Sequence, residues 1–143
     1  MHNLDAITHG TYRRLAAWQS ELTAFRRDLH AHPELGFEER RTAGRVVEAL
    51  RLAGVVEVHE GVGRTGVVGV IRGHGGGPRM MGLRADMDAL PLIEENDFAW
   101  RSASKGLMHA CGHDGHTTML VGVARYLAQT RRFDGTAVLI FQP

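Results

Sequence analysis

Residues 107–118 read LMHACGHDGHTT and place three histidines close to the only cysteine of the chain. His109 and His113 lie two residues on either side of Cys111, and His116 follows. Cys111 and His113 could ligate a zinc-like ion, because thiolate sulfur and imidazole nitrogen are good ligands for such metals. Cys111 could instead be a nucleophile with a histidine as its base. A buried cysteine near surface histidines that do no chemistry is the third interpretation, and spacing alone leaves all three open.

A second group of polar residues ends an apolar stretch in LRADMDALP, residues 83–91. Asp86 and Asp88 are two positions apart, so both side chains are expected on the same face of a strand. Like charges this close repel each other unless a cation or a hydrogen-bond donor neutralises them. Asp88 or Asp114 could therefore orient an imidazole that binds a metal. The alternative is a strand end with two solvated aspartates.

Helices must position the histidine cluster. Apolar residues at helical spacing predict one helix over residues 11–30, and Pro33 prevents its continuation. A second helix is predicted from about Glu39 to Leu52, before a glycine cap. A third helix is predicted to begin at about Asp114, directly after the cysteine and histidines, so that the cluster lies at a helix N-terminus.

Strands alternate with these helices. The valine-rich stretches VVEVHE and TGVVGVIRG, and then RMMGLRADM, predict three strands separated by glycine-rich turns. The closing stretch GTAVLIFQP is too continuously apolar for a strand with one exposed face, which indicates a central strand. Together the helices and strands indicate a layered α/β domain.

The stretch GVGRTG, residues 61–66, matches the G-x-G-x-x-G pattern of dinucleotide-binding proteins, and Asp86 follows about twenty residues later. That fingerprint requires a helix after the glycines, so that the phosphate meets the helix N-terminus. A valine-rich strand is predicted there instead. We therefore interpret GVGRTG as a turn between two strands.

The overall composition excludes several classes of function. The formal charge is +1, which gives no electrostatic case for binding nucleic acid or a membrane surface. One cysteine permits no disulfide within the chain, which agrees with a reducing compartment. The N-terminal residues lack the apolar core of a signal peptide, and no apolar run approaches membrane-spanning length. We expect a cytoplasmic globular protein.

Five stretches together resemble one known family: RRDLHAHPELGFEERRTA, GVGRTGVVGVIRG, LRADMDALP, HACGHDGHTTML and VLIFQP. They are similar to the N-terminal part of the catalytic domain in the aminoacylase–carboxypeptidase metallopeptidases. Within that family they resemble the amidohydrolase branch, which includes hippurate hydrolase and the indole-acetyl-amino-acid hydrolases. The resemblance implies an α/β/α zinc-peptidase-like catalytic domain with a mixed sheet, of which residues 1–143 would be the N-terminal part.

The resemblance also implies the chemistry. Members of the family cleave the amide bond of N-acyl amino acids with one or two divalent metal ions, such as zinc or manganese. Cys111 and His113 match metal-ligand positions, and Asp88 matches an aspartate that orients a ligand. Asp86 matches a histidine ligand of related branches, and Asp114 and His109 are further candidates. The His113–Asp114 bond matches a junction that is cis in the carboxypeptidases, so a cis or strained peptide is expected there.

The family pattern contains elements that do not occur in these 143 residues. The general-base glutamate follows the strand that ends in VLIFQP, and further glutamate and histidine ligands come later still. A smaller domain that mediates homo-oligomer contacts in relatives comes later as well. We therefore expect this chain alone to be catalytically inactive, and to be unstable or to associate where the sheet is uncovered. The alternative is a noncatalytic remnant that serves as a binding or interaction module.

Overall fold

A computed structural model describes residues 2–143, with side chains from residue 10 onward. Four helices are present: α1 (His2–Ala17), α2 (Gln19–Ala31), α3 (Arg40–Leu52) and α4 (His113–Thr130). No helix among the described residues is long and apolar enough to cross a membrane.

Four strands form one mixed sheet: β1 (Glu57–Val62), β2 (Gly66–Arg72), β3 (Met80–Asp86) and β4 (Thr136–Gln142). Their order is β1-β2-β4-β3. The β1–β2 and β2–β4 pairs are antiparallel, whereas β3 and β4 are parallel. The central position predicted for the last strand is confirmed, and so is the mixed α/β fold. The interpretation of GVGRTG as a turn between two strands is also confirmed, because its middle residues, 63–65, connect the end of β1 to the start of β2.

The predicted helix over residues 11–30 is wrong in one respect, since the structure has two helices that break at Trp18. The Trp18 backbone has φ −100° and ψ 3°, outside helical values. Neither proline nor glycine lies at this position, so local sequence gives no signal for the break. The Trp18 ring lies 4.4 Å from the Arg125 guanidinium of α4, and this tertiary contact accompanies the change of direction.

The hydrophobic core lies between one face of the sheet and helices α3 and α4. Alternate residues of the two middle strands point into it, including Val67, Ile71, Leu139 and Phe141, all buried. The intervening residues on the other face, such as Ile140, are only half-buried. Helix α2 packs on α4 outside this core. Among the described residues, helices therefore cover one face of the sheet.

Replacing Leu139 with alanine is expected to lower the free energy of unfolding by about 2–5 kcal/mol, because the change leaves a cavity in the core. Leu139 is fully buried on the central strand, whereas Leu52, at the end of α3, is 84% exposed. Leu52→Ala is the matched control and should change stability by about 0.5 kcal/mol or less. Urea unfolding followed by circular dichroism measures both variants. Equal effects at the two positions would contradict the central placement of β4.

Candidate metal centre

The polar residues predicted from sequence meet where β3 and β4 end and α4 begins. The two strands are parallel, and Asp86 pairs with Gln142 at the last position of the ladder. The Thr117 hydroxyl in the first turns of α4 donates to the Asp86 carbonyl oxygen at 2.9 Å. The N-terminus of α4 is therefore fastened to the carboxyl end of β3. Binding sites of α/β folds occur at such strand ends.

Gly112 makes the sharp entry into α4. It is the N-cap residue and has φ 78°, a left-handed conformation that residues with a Cβ rarely adopt. Nothing lies within 4 Å of the place a Cβ would occupy, so backbone conformation rather than space requires glycine. The turn separates Cys111, which is exposed, from His113, which begins the helix.

His113 is held by Asp88. Its Nδ1 atom lies 2.8 Å from Asp88 Oδ1 and 3.1 Å from the Asp88 carbonyl oxygen, both of which can only accept. Nδ1 therefore carries the proton and donates it. The other ring nitrogen, Nε2, is left with its lone pair available. A carboxylate that fixes the tautomer in this way is typical of histidines that bind metals. The geometry has the contact that an orienting role for Asp88 requires.

Three potential ligands converge on the other side of this ring. One ligand atom each from Asp86, His113 and His116 lies within 4.8 Å of the others. His113 Nε2 is 3.8 Å from Asp86 Oδ2, while Asp86 Oδ1 is 2.5 Å from the Arg84 guanidinium. The rings of His113 and His116 are 5.3 Å apart. The two aspartates thus face the same imidazole from its two nitrogens.

Sequence reasoning did not place His116 among the candidate ligands. The signal that could have identified it is its separation of three residues from His113, because residues i and i+3 share a face of a helix. The start of α4 at His113, rather than at about Asp114, puts both histidines within the helix. Cys111 does not belong to the convergent group that the described residues form. Its ligand role remains a prediction.

The other two candidates, His109 and Asp114, are buried. Both ring nitrogens of His109, and Oδ1 of Asp114, have no hydrogen-bond partner among the described residues. Burial lowers the pKa of His109, and the nearby His30 and His113 lower it further, although Asp114 and Asp88 act in the opposite direction. Burial therefore favours the neutral form of His109, which does not belong to the convergent group formed by the described residues.

The expected cis peptide between His113 and Asp114 is wrong, because no cis bond occurs in the described residues. Helix α4 begins at His113, so the bond lies within the first turn of a helix with trans peptides. The geometric adjustment at this site is instead the left-handed Gly112.

Comparisons with known proteins agree with this geometry. Residues 82–143, which contain every candidate ligand, match the model of peptidase family M20/M25/M40. Hippurate hydrolase of Campylobacter jejuni is 49% identical over 125 residues, covering 87% of this chain and 32% of that protein. The N-acyl-L-amino acid amidohydrolase of Geobacillus stearothermophilus is 48% identical over 79% of this chain and 30% of that protein. Residues 82–143 of the chain are therefore similar to peptidase family M20/M25/M40.

The fold of the chain is similar to that of a solved protein. A Bacillus subtilis protein described as a dinuclear metal-binding peptidase from the M20 family superposes with a TM-score of 0.84 at 41% identity. That match covers 90% of this chain and 36% of the relative. The chain spans about a third of the length of the curated relatives it matches.

The contact between Asp88 and His113 predicts one tautomer of the imidazole. At mildly alkaline pH, long-range ¹H–¹⁵N spectra should show His113 protonated on Nδ1, because the Asp88 carboxylate accepts that proton. Asp88→Ala should shift the balance toward the Nε2-protonated tautomer, because only the longer contact of Nδ1 with the backbone carbonyl of residue 88, at 3.1 Å, then remains. Asp97→Ala, at an exposed position on a loop, is the control and should leave the spectrum unchanged. A His113 signal that is the same in Asp88→Ala and in the unsubstituted chain would contradict the assignment.

Proposed function

We propose that the chain holds a divalent metal ion for the hydrolysis of amide bonds in N-acyl amino acids, as the N-terminal part of a catalytic domain. The observation that carries the proposal is the convergence of Asp86, His113 and His116 beside the Asp88 carboxylate. It occurs at the ends of two parallel strands, where α/β folds bind their ligands. The single, exposed Cys111 fits a reducing, cytoplasmic setting in which its thiol persists.

The residues present fit a zinc-like ion. Imidazole nitrogen, carboxylate oxygen and thiolate sulfur are the three ligand types that such an ion takes in proteins. His113 Nε2 is available because Asp88 occupies Nδ1. Asp86 Oδ2 faces that nitrogen, and Cys111 lies two residues earlier on an exposed turn. We assign Cys111 and His113 as ligands, with Asp86 and His116 as the nearest further donors.

A metal ion held by these residues would lower the pKa of a bound water toward about 7 and would polarise a substrate carbonyl. The chain's own residues contribute orientation. Asp88 keeps the proton on His113 Nδ1 and thereby directs Nε2 toward Asp86. Arg84 engages one oxygen of Asp86 and balances its charge. Each aspartate of the site is therefore engaged through one of its oxygens, Asp88 with His113 and Asp86 with Arg84.

The names of two relatives support the proposed substrate class. Hippurate hydrolase and the N-acyl-L-amino acid amidohydrolase are 49% and 48% identical to the chain over the matched residues. A small N-acylated amino acid is the substrate type that both names share. Each has an amide carbonyl for polarisation and a carboxylate for recognition. The cavities of this portion do not define the acyl group.

Cobalt binding tests the ligand assignment directly. The purified chain should bind Co²⁺ and show a thiolate-to-cobalt charge-transfer band in the near ultraviolet. Any such band must come from Cys111, because it is the only cysteine in the sequence. Cys111→Ser should remove the band, and His113→Ala should weaken Co²⁺ and Zn²⁺ binding by about tenfold or more. His74→Ala, an exposed loop histidine, is the matched control. A band that persists in Cys111→Ser would overturn the role of Cys111.

Hippurate tests the expectation that this chain alone does not turn over substrate. With Zn²⁺ or Mn²⁺ present, the chain should release no glycine above a metal-only blank, because the family resemblance places the general-base glutamate outside these 143 residues. Glycine is measured by amine derivatisation. Release that disappears with a chelator and in His113→Ala would show that the described residues suffice for catalysis.

A further inference from the structure

A buried charge network lies behind the candidate metal centre and includes His30 of α2. His30 Nδ1 is 2.8 Å from Asp114 Oδ2, and His30 Nε2 is 3.1 Å from Glu94 Oε1. Arg26, one turn earlier in α2, donates from Nε to the same Asp114 oxygen at 3.1 Å. The imidazole thus bridges two carboxylates that are twenty residues apart in sequence and belong to different segments.

The charged groups of this network are buried, so an unpaired charge among them costs free energy. The side chains of Asp114, Glu94 and His30 are 0%, 3% and 9% exposed. Carboxylates only accept, so both contacts are hydrogen bonds when both ring nitrogens of His30 carry protons. An imidazolium and the Arg26 guanidinium then balance two buried carboxylates. Removing one partner from such a pair leaves an uncompensated buried charge, which is strongly destabilising.

Glu94 carries the connection onward to an irregular segment, residues 94–103. Its Oε2 accepts the Ser102 backbone N–H at 2.6 Å, and its Oε1 accepts from the Asn96 amide at 2.9 Å. Burial opposes ionisation of Glu94, but these donors and His30 outweigh it, so the pKa of Glu94 lies below its usual value. The Ala103 N–H also donates to the Ala31 carbonyl at the end of α2.

The tethered segment forms one wall of a cavity of about 510 Å³ on the outer side of α2 and α4. Phe98 and Trp100 stack with ring centroids 4.9 Å apart, and the Arg27 guanidinium lies 3.7 Å from the centre of the Trp100 ring. The His30 ring is 5.7 Å from Phe98. The position of this wall therefore depends on the residue that also holds Asp114.

We propose that His30 is a positioning residue that couples segment 94–103 to the first turn of α4. Asp114 directly follows His113, so the contact that fixes its carboxylate also fixes the orientation of the turn that presents His113. This inference deepens the proposed metal function and rests on it for its effect on metal affinity. Its effect on segment 94–103 is independent of any metal.

Replacing His30 with glutamine tests the coupling, and His32→Gln is the matched control. His32 lies two residues later and is half-exposed, and its ring nitrogen Nδ1 contacts Asp28 on the same helix. A Trp18→Phe background leaves Trp100 as the single tryptophan, since the chain has two. We expect His30→Gln to increase acrylamide quenching of Trp100 and to weaken Zn²⁺ binding about tenfold, as loss of an outer contact to a ligand does. His32→Gln should change neither quantity.

A double-mutant cycle separates positioning from general loss of structure. Glu94→Gln removes the charge that His30→Gln leaves uncompensated, so the double variant should show less quenching than the sum of the single effects. If His30→Gln does not fold, Glu94→Gln alone decides, and it should still raise Trp100 quenching. The proposal would be overturned if Trp100 quenching in His30→Gln were the same as in His32→Gln. If His30→Gln does not fold, the same comparison is made between Glu94→Gln and His32→Gln. A chain that binds no Zn²⁺ would refute the proposed function, while the Trp100 measurement would still test the coupling.

Discussion

The parallel ladder between β3 and β4 is the constraint on which the site depends. Parallel neighbours must be joined by a crossover, and α4 supplies it here. The crossover brings the start of α4 back to the edge where both strands end. Asp86, at the last rung of β3, and His113, at the first residue of α4, consequently meet although 26 other residues separate them. The Thr117 hydroxyl fixes the contact from the helix side.

Apolar packing sets the distance between the layers of this fold, whereas polar contacts set the orientation of the helix end at the site. The core between the sheet and the helices is built from aliphatic residues and Phe141, and it sets the separation of the layers. Packing of that kind leaves the rotation of a helix end loosely defined. At the end of the fold that holds the site, directional hydrogen bonds fix the rotation of the helix: His113 donates to Asp88, and His30 donates to Asp114. Buried polar groups with partners specify one arrangement at the cost of desolvation.

Much of the fold was predictable because its signals are local. The continuous apolar run of β4 indicated a central strand, and the two-residue spacing of Asp86 and Asp88 indicated a shared face. The break at Trp18 was not predictable, because it accompanies a contact with Arg125 on a distant helix. The His30–Glu94 contact joins residues 64 positions apart, and sequence spacing gives no indication of such a pair. Spacing identified candidate site residues such as His113, but not the contacts that support them.

The order in which the sheet can assemble follows from its connections. Strands β1 and β2 are joined by a short turn, so this hairpin closes a small loop and can form early. Strands β3 and β4 are separated by residues 87–135 and pay a larger closure entropy before their ladder forms. His113 acquires Asp86 as a neighbour only when that slow, non-local step is complete. The cation site that we propose at this edge therefore requires the fully folded sheet, and a collapsed chain that has formed only its hairpin lacks it.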